Sequence, residues 1–262
     1  MSQKVLLLGA SGFIGSHLGN HLKSTYEILT INRQSNDFLN LIKMGKPDVI
    51  INCSASSPNA DFFESLDANV NFQMKCLRVL ASQSQKPIKW VQVGSYFELQ
   101  IVFGRRDNYS IHKALCRTLL EQVNESGLIN LTTIFLPHVF GPGEMSSRII
   151  PSITSQLLAN KEMEISKGDQ YLPILSVQDT CEAISMAIQT DQASCSASPM
   201  WYGKLKDLAN LMHQALKKGN LKVNLSKVSI DDSFPQVQFP PTVKNWSPSF
   251  GFEDFLITLK SM

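Results

Sequence analysis

The sequence predicts an α/β protein: a doubly wound parallel sheet with helices on both faces, followed by a small C-terminal lobe. Three observations carry this. Short, continuously apolar segments recur along the first half, "KVLLLG", "YEILTIN", "DVIINCS", "IKWVQVGS" and "NLTTIFLP". Strands that do not alternate belong to sheets buried on both faces. Helical periodicity fills the gaps, around residues 14–23, 61–82 and 110–124, as a chain of β–α units requires. After "HVFGPGE", residues 138–144, the elements shorten and the regular alternation ends. Residues 1–140 therefore read as one domain and 141–262 as a mainly substrate-binding lobe with C-terminal helices.

Taken in order, "KVLLLG" is the first strand and runs into "GASGFIGSHL", where Gly9, Gly12 and Gly15 separate it from a helix. In such a unit one glycine permits the tight turn and one lets the backbone approach a pyrophosphate. The third lets the helix pack on the strand with its N-terminal amides facing the phosphates, the pattern of a Rossmann dinucleotide fold. The alternative is a glycine-rich turn without a ligand. The second strand favours the nucleotide. "YEILTINR" ends in Asn32 and Arg33, where an NAD-binding unit usually places an acidic residue for the ribose hydroxyls. Arg33 suits a 2′-phosphate instead, so NADP(H) is expected ahead of NAD(H). "DVIINCS" is the third strand. In the helical stretch after it, Asn69 reads as hydrogen-bonding across the sheet, without a chemical role.

"IKWVQVGS" brings Ser95 to the carboxyl edge of the fourth strand, and "NYSIHKAL" places Tyr109 and Lys113 at i, i+4 on one helix face. A tyrosine hydroxyl, with its pKa near ~10, exchanges protons poorly at pH 7 unless a cation stabilises its phenolate. Lys113 can do that and can hold a nicotinamide ribose. Ser95 can polarise a substrate carbonyl while Tyr109 delivers the proton. After "NLTTIFLP", a helix is expected near residues 149–159. In "VQDTCEAISMAIQ", Asp179 and Glu182 read as a capping box. Ligands are expected at the carboxyl ends of the strands, where the two parts meet.

Composition sets the limits. Of 262 residues 43% are hydrophobic and 18% charged, which suits a soluble domain with a sizeable core. The net charge of +2 is mixed along the chain, so no nucleic-acid partner is expected. The longest purely apolar runs are far too short for a bilayer, and the first residues pass straight into a strand. No membrane partner, no signal peptide and a cytoplasmic setting are expected. Cys53, Cys76, Cys116, Cys181 and Cys195 are scattered, without CxxC or a His-rich partner, which argues against disulfides and a metal site. Three of them read as small buried thiols.

The stretches "GASGFIGSHL", "PDVIINCSA", "YSIHK", "FLPHVFGPGE" with "RIIP" after it, and "NWSPSFGFEDFL" occur in the order seen in one family. From residue 4 to about 260 the chain resembles the extended short-chain dehydrogenase/reductases, the NAD-dependent epimerase/dehydratase group. The short path from Arg33 to "PDVIINCSA" is similar to dTDP-4-dehydrorhamnose reductases. "GSYFE", the short Ser95–Tyr109 interval and "HVFGPGE" resemble CDP-abequose-type 4-ketoreductases. Both reduce a 4-keto sugar on a nucleoside diphosphate. The resemblance implies that Ser95, Tyr109 and Lys113 are the catalytic triad. It also implies a cofactor site of Gly9, Ser11, Gly12, Phe13, Ile14, Asn32, Arg33, Cys53, Ser54, Ala55 and Pro137, with Asp37 and Phe38 bordering the adenine and Tyr109 and Lys113 reaching it. A homodimer built from helices 61–82 and 110–124 is implied as well, with Phe72, Leu77, Leu115 and Leu119 serving either the core or that contact.

The chain departs from this family at the substrate phosphate. Leu172 and Pro173 stand where an Arg-Asp pair is frequent, and Phe135 where an arginine is frequent. Arg148, or Arg105 and Arg106, are left as candidates for that anion. His138 is a candidate donor to a sugar hydroxyl, the alternative being a histidine satisfied by loop backbone. A different register would put Val93 at the hydroxyl position, but Val93 has no polar group to offer. The expected function is NADPH-dependent reduction of a 4-keto-6-deoxy sugar nucleotide. An NAD-dependent epimerase or dehydratase, and a non-catalytic NADP-binding protein, are the alternatives. A dehydratase would want an acidic pair beside Ser95, and Glu98 is the nearest carboxylate.

Overall fold

The computed structural model describes every residue except 1, 32, 34–36, 58, 83–85, 218, 224–232 and 261–262, and omits the side chains of 163, 220–223 and 260. Asn32 thus lies outside the described residues. The chain gathers into two units. The first comprises Met1–Leu136, Thr180–Ala197 and Phe239–Ser247; the second comprises Pro137–Asp179, Ser198–Gln238 and Pro248–Met262. The sequence placed one boundary at 140. The chain leaves the first unit near that point but returns to it twice, because its sheet takes a last strand from the later sequence.

That sheet is parallel and six-stranded. It is built from β1 (Lys4–Leu8), β2 (Glu27–Thr30), β3 (Val49–Asn52), β4 (Ile88–Ser95), β5 (Ile129–Leu136) and β9 (Ser194–Ser196), in the order β2-β1-β3-β4-β5-β9. Val5–Leu8 and all of β3 are buried, which is why these strands read as unbroken apolar runs. The order reverses at β1, with β2 on one side and β3 on the other. The loops after β1 and β3 therefore diverge and leave an opening at the strands' carboxyl ends.

Helices α1 (Phe13–Leu22), α2 (Phe38–Gly45), α3 (Phe62–Leu66), α4 (Phe72–Ala81), α5 (Tyr96–Leu99) and α6 (Asn108–Glu125) belong to this unit, with most of α8 (Val177–Gln189). Trp90, Leu6 and Ile50 of the sheet pack with Cys76 and Leu80 of α4 and Cys116 and Leu120 of α6. Each large side chain so buried contributes about 1.5–3 kcal/mol. The stretch expected as one helix over 61–82 is α3, a π-turn at Asp67–Asn71, and α4 in continuous helical backbone. The turn carries buried Asn69, whose amide donates to Ser56 Oγ (2.8 Å) and Ser65 Oγ (3.1 Å). Asn69 therefore ties the loop after β3 to the helix, rather than bonding across the sheet as the sequence suggested.

The second unit holds a three-stranded sheet, β10-β8-β6, of β6 (His138–Phe140), β8 (Tyr171–Ser176) and β10 (Trp201–Lys204). It also holds a parallel pair, β7 (Glu162–Ile165) with β11 (Asn220–Val223). Its helices are α7 (Ile149–Leu158), α9 (Leu205–Leu216) and α10 (Phe252–Lys260). Ile153, Leu157, Ile174, Leu208 and Phe255 form its core together with Leu172. The capping box at Asp179 and Glu182 is not what starts α8. β8 runs to Ser176, whose Oγ accepts from Asp179 N at 3.0 Å, so the helix begins before the expected site. The Asp179 carboxylate instead accepts from Ser249 N (2.9 Å) and Ser249 Oγ (2.7 Å), anchoring the segment before α10.

Among the described residues no helix is long and apolar enough to cross a membrane. All five cysteines are free, and burial pushes each thiol up to about 12, where it packs as a small apolar group.

Candidate functional site

The glycine loop is shaped by what its residues lack. Gly9 adopts φ +80°, and a Cβ there would lie 2.7 Å from Ser54 N. A Cβ on Gly15 would lie 2.1 Å from Gly9 O, so α1 closes on β1 only with glycine at that position. Gly12 is the N-cap of α1 and no side chain caps the helix, which leaves its first-turn amides directed at the loop mouth. A cleft of about 540 Å³ opens there, lined by Gly9, Ala10, Ser11, Gly12, Thr30, Ile31, Arg33, Cys53, Ser54, Ala55 and Phe72. No carboxylate is among these lining residues. A buried polar chain stiffens the far wall. Gln73 Nε2 donates to Ser54 Oγ at 2.8 Å, Asn52 Oδ1 accepts from Ser54 N at 3.1 Å, and Asn52 Nδ2 donates to Gln92 Oε1 at 2.9 Å. A cradle that a Cβ would fill, uncapped amides and an arginine fit a dinucleotide.

Seven of the expected cofactor residues, Gly9, Ser11, Gly12, Arg33, Cys53, Ser54 and Ala55, line this cleft; others do not. Phe13 and Ile14 begin α1 and are absent from the lining, and Pro137 belongs to the second unit. Asp37 precedes α2, where its carboxylate accepts from Asn40. Phe38 packs against Phe72, ring centroids 5.6 Å apart, and it is Phe72 that reaches the cleft. Phe72 was missed because its helical spacing marks it as core, which it also is.

The strand-end group forms in the same unit. Asp107 caps α6 by accepting from Ser110 N at 2.9 Å, which starts the helix at Asn108 and places Tyr109 and Lys113 one turn apart. Lys113 Nζ sits 5.8 Å from the Tyr109 ring centroid and donates to Val93 O on β4 at 2.7 Å. Val93 thus contributes its carbonyl, while its side chain is buried. Burial works against the Lys113 ammonium, but Tyr109 and Glu98 hold its pKa above the ordinary lysine value. Two residues beyond Val93, Ser95 caps α5, its Oγ accepting from Phe97 N at 3.3 Å. Phe97 in turn meets the Tyr109 ring edge-on at 6.4 Å.

Glu98 points inward. Its Oε1 accepts from Ser95 N at 2.8 Å, Arg117 Nε lies 3.5 Å from Oε2, and the residue is 5% exposed. Burial pushes its carboxyl above the usual range, against the pull of Lys113 and the Ser95 N–H. A Cβ on Gly94 would press on this carboxylate at 3.3 Å and on the Phe135 ring at 3.1 Å. Arg105 and Arg106 are held within the protein. Arg105 bonds Asp107, Gln100 (2.7 Å) and Ser110 (3.1 Å) with its guanidinium 3.8 Å over the Phe97 ring, and Arg106 donates to the carbonyls of Ile101 and Arg105.

In the second unit, buried His138 lies between Glu144 and Arg148. Its Nε2 is 3.1 Å from Glu144 Oε1, and its Nδ1 is 3.4 Å from Arg148 Nη2. A guanidinium only donates, so Nδ1 is the acceptor and Nε2 carries the proton. Burial, with Arg148 beside it, holds the imidazole below the ordinary histidine value despite Glu144. Both ring nitrogens are engaged within the protein, by the side chains of Glu144 and Arg148 rather than by the loop backbone that the alternative reading named. Glu144 stood in a motif the sequence singled out, but nothing local marked it as a partner of His138. Leu172, at the position of the missing arginine, is a core side chain here.

Comparisons with known proteins bear on the family and the fold. Over 214 residues the chain is 25% identical to the CDP-abequose synthase of Yersinia pseudotuberculosis, covering 72% of this chain and 74% of that protein. The structure of RMD from Pseudomonas aeruginosa complexed with NADPH superposes with a TM-score of 0.79 at 17% identity, covering 99% of this chain and 98% of that one. UDP-glucose 4-epimerase from Thermotoga maritima with UDP-glucose gives 0.80 at 15% identity, covering 99% and 98%. At such identities the structures speak for the fold. The family follows from a match over residues 5–197, which takes in the glycine loop, the strand-end serine and the Tyr-Lys helix: the chain belongs to the NAD dependent epimerase/dehydratase family, whose members are NAD(P)-dependent enzymes of nucleotide sugars.

Proposed function

We propose that the protein reduces a 4-keto-6-deoxy sugar nucleotide to the corresponding 6-deoxyhexose nucleotide with NADPH. One observation carries this reading: the end of β4 and the first turn of α6 offer a hydroxyl, a phenol and an ammonium, while the nearest carboxyl, Glu98, is turned inward onto Ser95 N. Dehydration needs a carboxylate that faces the sugar; carbonyl reduction does not. Arg33 in a cleft whose lining has no carboxylate supports the phosphorylated cofactor.

A bound dihydronicotinamide would supply hydride to the carbonyl carbon. Tyr109 gives its hydroxyl proton to the carbonyl oxygen, and Lys113 stabilises the phenolate left behind. Ser95 Oγ accepts from Phe97 N in the cap, which leaves its own O–H to donate to the same carbonyl oxygen. The test is to follow NADPH oxidation with a panel of 4-keto-6-deoxy sugar nucleotides. Oxidation with at least one supports the reading. None with any, together with turnover of a 4-hydroxy sugar nucleotide by NAD-loaded protein, would replace it with the epimerase alternative. Inactivity in both assays leaves the non-catalytic NADP-binding alternative.

The reading includes a homodimer. Phe72 and Leu77 are buried and Leu119 packs on the core, which leaves Leu115 of α6, 42% exposed, for such a contact beside Phe62 and Phe63 of α3. Sedimentation that gives only a monomer at micromolar concentration would remove that part.

A further inference from the structure

Ser95 is held on both sides by the short helix it starts. Its Oγ accepts from Phe97 N at 3.3 Å, and its own N–H donates to Glu98 Oε1 at 2.8 Å. Together these bonds form a capping box, the S-x-x-E arrangement that fixes where a chain enters a helix. A glutamine would serve that purpose too, because the bond needs an acceptor and no charge. Here, however, the group is a carboxyl and it is buried, with Glu98 5% exposed. Its buried Oε2 has no hydrogen-bond partner among the described residues. A buried carboxylate with an open oxygen is unfavourable unless neighbouring cations offset it.

Two cations do so, and both come from α6. Arg117 Nε stands 3.5 Å from Oε2, and Lys113 lies one turn before Arg117 on the same helix face. The attraction between Glu98 and Lys113 acts on each partner. It draws the carboxyl down and holds the ammonium up, in both cases against burial. Tyr109, Cys116 and Cys53 also face Lys113, and burial keeps both thiols protonated by pushing them up to about 12. Of these groups Glu98 is the one that carries negative charge while Tyr109 keeps its proton.

We propose that Glu98 is a positioning residue for two members of the triad, its Oε1 fixing the Ser95 main chain and its charge holding Lys113 as the ammonium beside Tyr109. This rests on the reading of Ser95, Tyr109 and Lys113 given above. The carboxyl that is turned away from the sugar thereby keeps the hydroxyl at the end of β4 in register with the phenol on α6.

Glu98→Ala removes both functions and Glu98→Gln only the charge, so the two variants separate them. With the 4-keto-6-deoxy sugar nucleotide that wild type reduces fastest, Glu98→Ala should lose about tenfold or more in kcat at neutral pH, with KM changed by less than about threefold, the mark of misplacement rather than lost binding. Glu98→Gln should recover kcat to within about threefold of wild type. Its alkaline limb, where the Tyr109–Lys113 pair loses a proton, should move to lower pH by about 0.5 or more, because a negative charge that favoured both protons is gone. Glu121→Gln removes the exposed carboxylate that also pairs with Arg117, and should leave rate and limb unchanged. Glu98→Asp, one carbon too short to reach Ser95 N, stands in should Glu98→Ala fail to melt like wild type.

Two further measurements need no turnover. Tyrosinate absorbance against pH, each protein compared with its Tyr109→Phe counterpart, should show Tyr109 ionising at lower pH once Glu98 is Gln. Hydrogen exchange of residues 94–99 should quicken by about tenfold or more in Glu98→Ala and return towards wild type in Glu98→Gln. A kcat of Glu98→Ala within about twofold of wild type, or no recovery in Glu98→Gln, overturns the Ser95 assignment. An unmoved Tyr109 titration overturns the Lys113 assignment. If no 4-keto sugar nucleotide oxidises NADPH, the reductase reading fails, while exchange and the Tyr109 titration still decide the role of Glu98. If NADPH is oxidised and neither exchange nor titration moves, the reductase reading stands and this inference fails.

Discussion

The glycine loop and the His138–Glu144–Arg148 cluster are built on opposite principles. At the loop the working groups are backbone amides, and side chains have been removed so that α1 can close on β1. At the cluster the groups are polar and charged side chains, two of them buried, whose positions depend on one another. A site made of backbone suits a ligand part that never varies, such as a pyrophosphate. A site made of mutually dependent side chains can be retuned by single substitutions, and suits the part of a ligand that differs from one enzyme to the next. In the proposed reaction the strand-end group of Ser95, Tyr109 and Lys113 would use both devices, with a helix turn for spacing and side chains for chemistry.

The largest expected effect separates binding from chemistry. Tyr109→Phe removes one proton donor and little surface, so NADPH oxidation should fall by roughly two to four powers of ten, with cofactor affinity nearly unchanged. Single-turnover rates beside cofactor titration decide it, and a rate within a few-fold of wild type would exclude Tyr109 as the acid. Gly15→Ala attacks the backbone site. With a Cβ 2.1 Å from Gly9 O, the variant should lose about 3 kcal/mol of stability and bind NADPH and NADH worse by equal factors. A loss confined to one cofactor would contradict a cradle made of amides.

Arg33→Ala is the side-chain counterpart on the same ligand. It should weaken NADPH by about 1.5–3 kcal/mol, roughly ten- to a hundred-fold, and barely change NADH. If wild type prefers NADH, or both cofactors weaken together, the NADP assignment fails and the epimerase alternative moves ahead.

The smallest effect lies in the cluster. Burial lowers the His138 pKa below its unfolded value of about 6.5, so the folded state binds fewer protons there. His138 therefore permits full stability above about pH 6.5, and stability falls as pH drops from there towards the folded value. Glu144 and Arg148 are the charged groups that face it. Glu98, with its raised pKa, acts in the opposite direction on acidification, so the informative quantity is wild type compared with His138→Asn. Melting temperature should decline more for wild type than for the variant between about pH 7.5 and 5.5. Parallel curves would mean that His138 is not the titrating group.

Legibility in the sequence followed the range of the interactions. β1, β3, the glycine loop and the Tyr109–Lys113 pair rest on neighbours within one or two turns, and each could be read from spacing. Glu98 could not: the sequence shows a carboxylate near Ser95, but only the fold shows it bent back onto Ser95 N. The capping of α8 was misplaced because Ser176 serves both the end of β8 and the start of the helix. The partners of Asn69 and His138 were missed for a common reason. These, Ser56 and Ser65 for one and Glu144 and Arg148 for the other, are set by loop and turn geometry that periodicity does not encode. The return of residues 180–197 and 239–247 to the first unit left no trace in composition at all.

That return has a consequence for how the protein is made. β9 pairs with β5, and residues 239–247 then lie along β9, Ser196 N donating to Pro241 O and Val243 N to Ser196 O, both at 3.0 Å. A ribosome working from the N-terminus finishes β5 long before it reaches β9. At ~5–20 residues per second the roughly sixty intervening residues take about 3–12 s, during which β5 is an open edge of apolar, hydrogen-bond-ready backbone. Its natural partner arrives late, and the segment that covers that partner arrives later still. Expression yield of this chain should therefore depend on temperature and on chaperone supply more than its native stability would suggest, because the period of exposure is set by translation rather than by the finished fold.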